Sequence, residues 1–485
     1  MRYRQTFLVL LLCFKGVNAN AQQLSDAVKI GDVTVSGWLR TRAEAWDWFQ
    51  GNANNEYAFS ESLFRLGFTR DAQSFDWKIE VAVPFLLGLP SDAIAPSPQG
   101  QMGFGGNYYA NSRAKNTASL FPKQVYGKWK FGERWKQSVL VGRSEFFDGT
   151  EGKPVNATVS ALKRDRIAQR LIGNFAFADV GRSFDGGVYS IDGEKTDITV
   201  FAARPTRGVY QVDGWGEVDT SVYYGSLTHE TGNATSGGEW RVFGLGYNDF
   251  RGSVLKTDNR SQAARTADQG TIDIATAGAD YLYALQTPAG TFEVLLWGVL
   301  QGGSWGNLTQ RAYAYATEAG WQAPVASAVK PWLRGGYSYG SGDKNPTDNV
   351  HGTFFQVLPT ARQYARFPFF NMMNNRDAFG ELVLRPSKAV TARIDVHSLA
   401  LASSKDLLYN GGGVYQPWTF GYTGRPSYGQ SGLATLYDAS LDYTVNQHFA
   451  FAAYYARAQG KLVLQDIYPK GRNANFGYLE ANYRF

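Results

Sequence analysis

The chain has 485 residues, with 48 Lys and Arg against 42 Asp and Glu, a single Cys, 54 Gly, 28 Tyr and an aromatic share of 15%. A net charge of only +6 gives no footing for a nucleic-acid partner, and one cysteine excludes a disulfide framework and a thiolate metal site. Nor is there a helical membrane span after the first residues: the longest apolar run, VAVPFLLGLP, is broken by Pro84 and falls short of the roughly 18 residues such a span needs.

At the N-terminus, Arg2 and Arg4 precede an apolar run from Phe7 to Phe14, and Ala19 and Ala21 stand in the A-x-A arrangement of a peptidase site. Residues 1–21 are therefore expected to be a cleaved secretory signal. Lipid attachment at Cys13 is rejected because bulky Leu12 stands where such sites take a small residue. Cleavage removes Arg2, Arg4, Lys15 and the cysteine but no acid, which leaves a net charge of about +3. Residues 22–485 show no linker, repeat or shift of composition, and are expected to form one domain.

Strict alternation begins at Val33. Val33, Val35, Gly37, Leu39, Thr41 and Ala43 fall on one face, and Thr34, Ser36, Trp38, Arg40, Arg42 and Glu44 on the other. Phe64, Leu66 and Phe68 are set against Arg65 in the same way, and Trp77, Ile79, Val81 and Val83 against Lys78 and Glu80. Later segments keep the rule: Ala392, Ile394 and Val396 oppose Arg393, Asp395 and His397, and Tyr437, Ala439, Leu441 and Tyr443 oppose Asp438, Ser440 and Asp442. The closing NFGYLEANYRF sets Phe485, Tyr483, Ala481 and Leu479 against Arg484, Asn482, Glu480 and Tyr478. One segment of this kind fits a soluble sandwich, but many of them in a Tyr- and Gly-rich exported chain predict a transmembrane antiparallel β-barrel with aromatic girdles in the bacterial outer membrane.

Connections alternate in length. Short links such as DAQS, GER, Asp192-Gly193, RPSK and VNQH exchange with long ones over residues 84–121, 144–185, 341–375 and 401–432, as periplasmic turns exchange with extracellular loops. QRLIGNFAFA, residues 169–178, reads as a strand by itself, yet counting it would make the total odd. Leaving it out gives about 18 strands with both ends in the periplasm. Residues 144–185 then form a long third loop, expected inside the barrel because its RLIG and NFAFA segments are too apolar for water.

By parity the lumen receives Arg40, Arg42, Arg65, Lys78, Lys128, Lys130, Arg334, Arg385 and Arg393, with Glu44, Glu80, Asp395, Asp438 and Asp442. Guanidinium groups match carboxylates through paired donors and stay charged at every relevant pH, so this set suits an anion path. It also suits a barrel filled by internal ion pairs, and for each residue both readings stay open. Trp38, Tyr478, Trp297 and Trp332 also point inward, as sugar platforms or as packing. Catalysis is not expected: His397 and Ser398 face opposite ways, His229, His351 and His448 fall in loops or turns, and no metal-ligand spacing appears. In SGDKNPTDN, Asp343 and Asp348 are the one pair that could hold calcium, although such a segment is most simply an exposed turn. No cofactor is expected.

VGRSEFFDG, QRLIG, RSFDGG and GGYSYGSGDKNPTDN…GTFFQVLPTARQY, in that order after an early FRLGFTRD, resemble the alginate-export family of outer-membrane proteins. The resemblance implies an eighteen-stranded barrel whose narrow lumen carries arginines, lysines and a few carboxylates for a polyuronate. The matching positions are Arg65, Arg143, Arg170 and Asp185, with Arg334 beside them. The family's long late periplasmic turn is replaced here by VNQH. The expected function is a channel passing an anionic polysaccharide or oligosaccharide outward, with outer-membrane lipid and periplasmic export components as partners. The alternative is an uptake porin for small anions such as sugar acids or phosphate.

Overall fold

The computed structural model describes residues 28–485 apart from 133–134, 325–326 and 361–364. The expected signal at 1–21 lies outside the described residues. Eighteen strands form the wall. The first six are β1 (Val33–Asp47), β2 (Glu56–Arg70), β3 (Phe75–Leu87), β4 (Phe121–Phe131), β5 (Lys136–Ser144) and β6 (Phe184–Asp192). Then come β7 (Thr196–Pro205), β8 (Thr220–Gly232), β9 (Ser236–Asp249), β10 (Ile272–Thr287), β11 (Gly290–Trp305) and β12 (Leu308–Gln322). The last six are β13 (Trp332–Gly340), β14 (Asn375–Leu384), β15 (Val390–Leu401), β16 (Gly432–Thr444), β17 (Phe449–Gly460) and β18 (Asn473–Arg484). Each pairs antiparallel with its predecessor, and β18 pairs with β1 from Trp38↔Arg484 to Asp47↔Asn475. The sheet is a closed antiparallel barrel, so no wall strand presents an edge to lipid.

Alternation sorts the side chains as the sequence predicts. Along β1, Arg40, Arg42, Glu44 and Trp46 are buried while Thr41, Ala43 and Ala45 are exposed. Links 71–74, 193–195, 385–389 and 445–448 lie at the end that also holds Val33 and Phe485, and 88–120, 145–183, 341–374 and 402–431 lie at the other. Four details correct the sequence reading. Strand β3 runs through Pro84 to Leu87, because Pro84 faces the break between β4, which pairs up to Ala82↔Phe121, and the short strand Asn116–Ala118, which pairs from Phe85; no N–H is required there. The link 341–374 contains a two-residue strand, Val350–His351, parallel to Thr309 and Gln310. Within 402–431, Leu407–Gly411 and Tyr422–Pro426 form a hairpin of their own. His229 is not in a turn but in β8, against Thr196 at 2.8 Å.

The interior is not simply water. Val159, Leu162, Ile167, Leu171 and Ile172 of the link 145–183 pack with inward Leu282, Leu295, Trp297 and Trp332 of the wall. A second cluster joins Trp46, Phe59 and Phe476 of the wall to Phe104, Phe175 and Phe367 from three loops. Arg182, fully buried, binds these insertions together by donating to the carbonyls of Gly173 and Leu358, each at 2.8 Å, Pro359 at 3.0 Å, and Gly412.

The seam is closed beyond β18 by one more residue. The Phe485 N–H donates to the Gly37 carbonyl and the Gly37 N–H to the Phe485 carbonyl, both at 3.0 Å, and the Phe485 ring occupies the space a Gly37 Cβ would need. Deleting Phe485 is expected to lower the yield of heat-modifiable barrel strongly, and Gly37→Leu, which evicts the ring, to reproduce the defect. Gly37→Ala is expected to be milder, since the ring can swing. Equal yields from all three variants would mean that the seam does not need this contact.

Candidate anion path in the lumen

The inward arginines form ladders with carboxylates across neighbouring strands. Arg42 faces Glu61 on β2 and Glu480 on β18 in direct register, bonding Glu480 at 2.6 Å and Glu44 at 3.3 Å as well as Glu61. Arg40 meets Asp179 at 2.9 Å and the Ala176 carbonyl at 2.6 Å, so the link 145–183 is tied to β1 here. Arg65 bonds Glu80 and, at 3.0 Å, Glu145, which lies 3.7 Å from Lys123. Arg143 grips Asp185 through two bonds of 2.7 and 2.6 Å, but register sets Arg143 beside exposed Val125 and alternation sets it beside exposed Val141, so this pair stands on the outer face of the wall and not in the lumen expected from the family resemblance.

A second ladder stands on β11 to β14. Glu318 receives Arg166 through two bonds of 2.8 and 3.0 Å and Arg334 at 2.7 Å, with Arg170 at 3.7 Å; Arg334 also reaches Glu293 at 3.0 Å. Guanidinium groups lie over rings throughout. Arg170 is 4.8 Å from the centre of Trp297, Arg385 is 5.1 Å from that of Trp332, and Arg40, Arg65 and Arg484 all approach Trp38 within 5.7 to 5.8 Å. Arg393 pairs with Asp442 at 2.8 Å. Lys128 is half-buried and makes no ion pair among the described residues.

Arg65 is thus held by Glu80 and Glu145, Arg143 by Asp185, and Arg170 beside Glu318. Asp343 and Asp348 direct oxygens to backbone N–H groups of Asn345 at 2.8 Å and Val350 at 2.9 Å, the geometry of turn caps. Among the described residues no three His, Cys, Asp or Glu side chains are grouped to hold a metal. Sequence reading missed Glu61, Glu145, Asp179, Glu293 and Glu318 as partners. Glu61 was legible, standing four residues before Arg65 on one face; Asp179 and Glu145 depend on the insertion of the loop.

On the long-loop side, buried Asp406 accepts from the Asp343 N–H (2.8 Å), the Thr353 hydroxyl (2.5 Å), the Leu407 N–H (2.7 Å) and the Tyr409 hydroxyl (2.7 Å). Burial pushes its carboxyl up to about 6 in spite of these donors.

The model of a family described as alginate export matches residues 145–459, more than half of the chain. No curated protein matches it. Among solved structures, OccK9 (OpdG) of Pseudomonas aeruginosa superposes with a TM-score of 0.58 at 11% identity, over 94% of this chain and 98% of that one. OccAB2 of Acinetobacter baumannii gives 0.56 at 11% identity, over 93% and 98%. OpdK of Pseudomonas aeruginosa, solved with vanillate, gives 0.52 at 8% identity, also over 93% and 98%. At these identities the likeness is one of fold.

Two measurements test the geometry. Glu318→Gln leaves three guanidinium groups around a neutral amide, and removing one partner of a buried pair costs about 3 kcal/mol or more. Hydrogen exchange over residues 157–171 is expected to rise well above that of the unaltered protein; unchanged exchange would mean that apolar packing alone holds this segment. Asp406, with a folded value above the roughly 3.9 of an unfolded Asp, adds stability that is complete below the unfolded value and lost as pH rises through about 6. The protection of residues 403–411 relative to Asp406→Asn is therefore expected to be greatest near the low end of that window, after correction for intrinsic exchange, and to shrink toward neutral pH.

Proposed function

Given that the chain belongs to the alginate export family and forms an eighteen-stranded barrel of the bacterial outer membrane, we propose that it is a channel for an anionic polysaccharide or oligosaccharide of the uronate type, passed outward. The observation that carries this reading is the interleaving of guanidinium groups with carboxylates and ring faces around the lumen, from Arg40 and Arg65 beside Trp38 and Arg42 beside Phe177 and Tyr478 to Arg170 and Arg334 beside Trp297 and Trp332. Each guanidinium is already held by a wall carboxylate, so an incoming uronate exchanges for an acid of the wall at little net cost in charge. Ring faces next to those groups suit the apolar faces of a pyranose. Arg393 and Lys128 would extend the path, and Glu44 would be an acid that yields to the polymer. The channel class carries no catalytic requirement, and Ser398 is exposed on the wall's outer side while His397 is buried inside.

The second reading, an uptake porin for small sugar acids or phosphate, is favoured by the shortness of the link 445–448, where a long occluding turn would mark an exporter.

Planar-bilayer recording separates the two. Export of a uronate predicts an anion-preferring conductance blocked by oligomannuronate or oligoguluronate. Arg65→Glu and Arg170→Glu are each expected to reverse or abolish the preference with folding retained, since lumen substitutions tune selectivity more than stability. Lysine at the same positions is expected to keep selectivity and weaken the block by about tenfold, the paired donor geometry being lost. A pore that ignores uronates but conducts phosphate would establish the uptake reading; wild-type selectivity in both glutamate variants would make these arginines structural ion-pair partners.

A further inference from the structure

On the long-loop side two cavities adjoin. One, of about 160 Å³, is bounded by rings of Trp48, Phe104, Tyr210 and Tyr415 with the amides of Asn107 and Asn410. The other, of about 470 Å³, lies among residues 97–101, 257–265 and 422–426. Gln101, Tyr422, Thr423 and Arg425 line both, and Thr423 is exposed to solvent.

The cations here differ from those of the lumen ladders. Buried Arg425 donates from Nε and Nη2 to the Gln99 carbonyl at 3.1 and 2.7 Å, and from Nη1 to the Asn410 amide oxygen. Three of about five N–H groups thus meet neutral oxygens and two are left over. Arg265, half-buried on the short helix Gln262–Ala267, has one long bond, 3.4 Å to the Lys256 carbonyl. Its Nε and the neighbouring Asn259 Oδ1 are buried without hydrogen-bond partners among the described residues. Neither Arg425 nor Arg265 is paired with a carboxylate among those residues, whereas Arg260 in the same cavity is tied to Asp258 at 2.8 Å and Asp268 at 2.9 Å. Unlike Arg182, whose fork is filled by carbonyls, Arg425 keeps two N–H groups and Arg265 its Nε without acceptors at a cavity wall, which is where an external anion could bind. Rings and amides side by side in the adjoining cavity suit a body with apolar faces and equatorial hydroxyls.

We infer that the joined cavities are an extracellular binding site for an acidic saccharide, its ring seated among Trp48, Phe104, Tyr210 and Tyr415 and its carboxylate held by Arg425 and Arg265. The inference rests on the channel reading for its substrate class and adds a docking point on the outer side, apart from the lumen ladders.

The full-length protein in planar bilayers, with a mannuronate trimer added from one side at a time, tests it. Arg265→Gln is expected to raise the half-blocking concentration about tenfold from the long-loop side alone. Arg425→Gln is expected to do the same, and because Arg425 also anchors Gln99, its heat-modifiability is checked and Arg265→Gln stands as the independent variant. An equal change from both sides, or none, overturns the site. Calorimetric titration of the detergent-solubilised protein with the same trimer keeps the two readings apart: binding that weakens in Arg265→Gln without any block of current supports the site and overturns passage of uronates, while block without side-specific loss does the reverse. A neutral hexose trimer that binds as tightly as the mannuronate overturns the acidic class.

Discussion

Closure of the backbone hydrogen-bond ladder is the constraint on which the rest of this molecule depends. In hydrocarbon an unpaired N–H or C=O has no water to turn to, so the wall must return on itself without an edge. Here the return is made by β18 against β1, with Phe485 continuing the pairing to Gly37. Once the cylinder is closed, parity sends alternate residues inward, and these include both the charges of the ladders and apolar residues such as Leu282, Leu295 and Trp297 that pack against the inserted loops. The arginine ladders are a consequence of that sorting together with register, which brings Arg42 opposite both Glu61 and Glu480.

A barrel of this strand number is wide, and what occupies it decides what it can do. The insertion of residues 145–183 converts a potential open pore into a packed interior, with Arg166 fastened to Glu318, Arg40 to Asp179, and Ile172 and Leu171 inside the apolar cluster. Most cations of the inner wall are therefore matched by acids at rest, so on the proposed reading an anion would pass by exchanging partners. The long-loop side follows a different rule. There Arg425 and Arg265 lie among neutral oxygens, with rings close by.

Sequence and tertiary structure divide the explanation along physical lines. Alternation is local, with a period of two residues, so the strands, their inward faces and the up-and-down order could be read from β1 and β18 alone and then found again along the chain. The expectation that QRLIGNFAFA is not a wall strand came from parity and from the tight turn at Asp192-Gly193, both properties of neighbouring sequence. Pro84 misled because its meaning depends on what stands beside it: a strand ends at proline unless the adjacent strand is interrupted at that point, as it is between Phe121 and Ala118. His229 misled for a related reason, lying near a turn in sequence but inside the paired part of β8.

What the sequence by itself determined is the class of the molecule and the side of the wall on which each charge stands, because both follow from alternation and from the exclusion of a helical span. What only the tertiary structure decided is the partner of each charge. Glu61 and Glu480 meet Arg42 through register, Asp179 meets Arg40 through the insertion of a loop, and Arg425 meets no acid among the described residues because three distant segments fold around it. Register and loop insertion join residues hundreds of positions apart, and no local pattern carries that information.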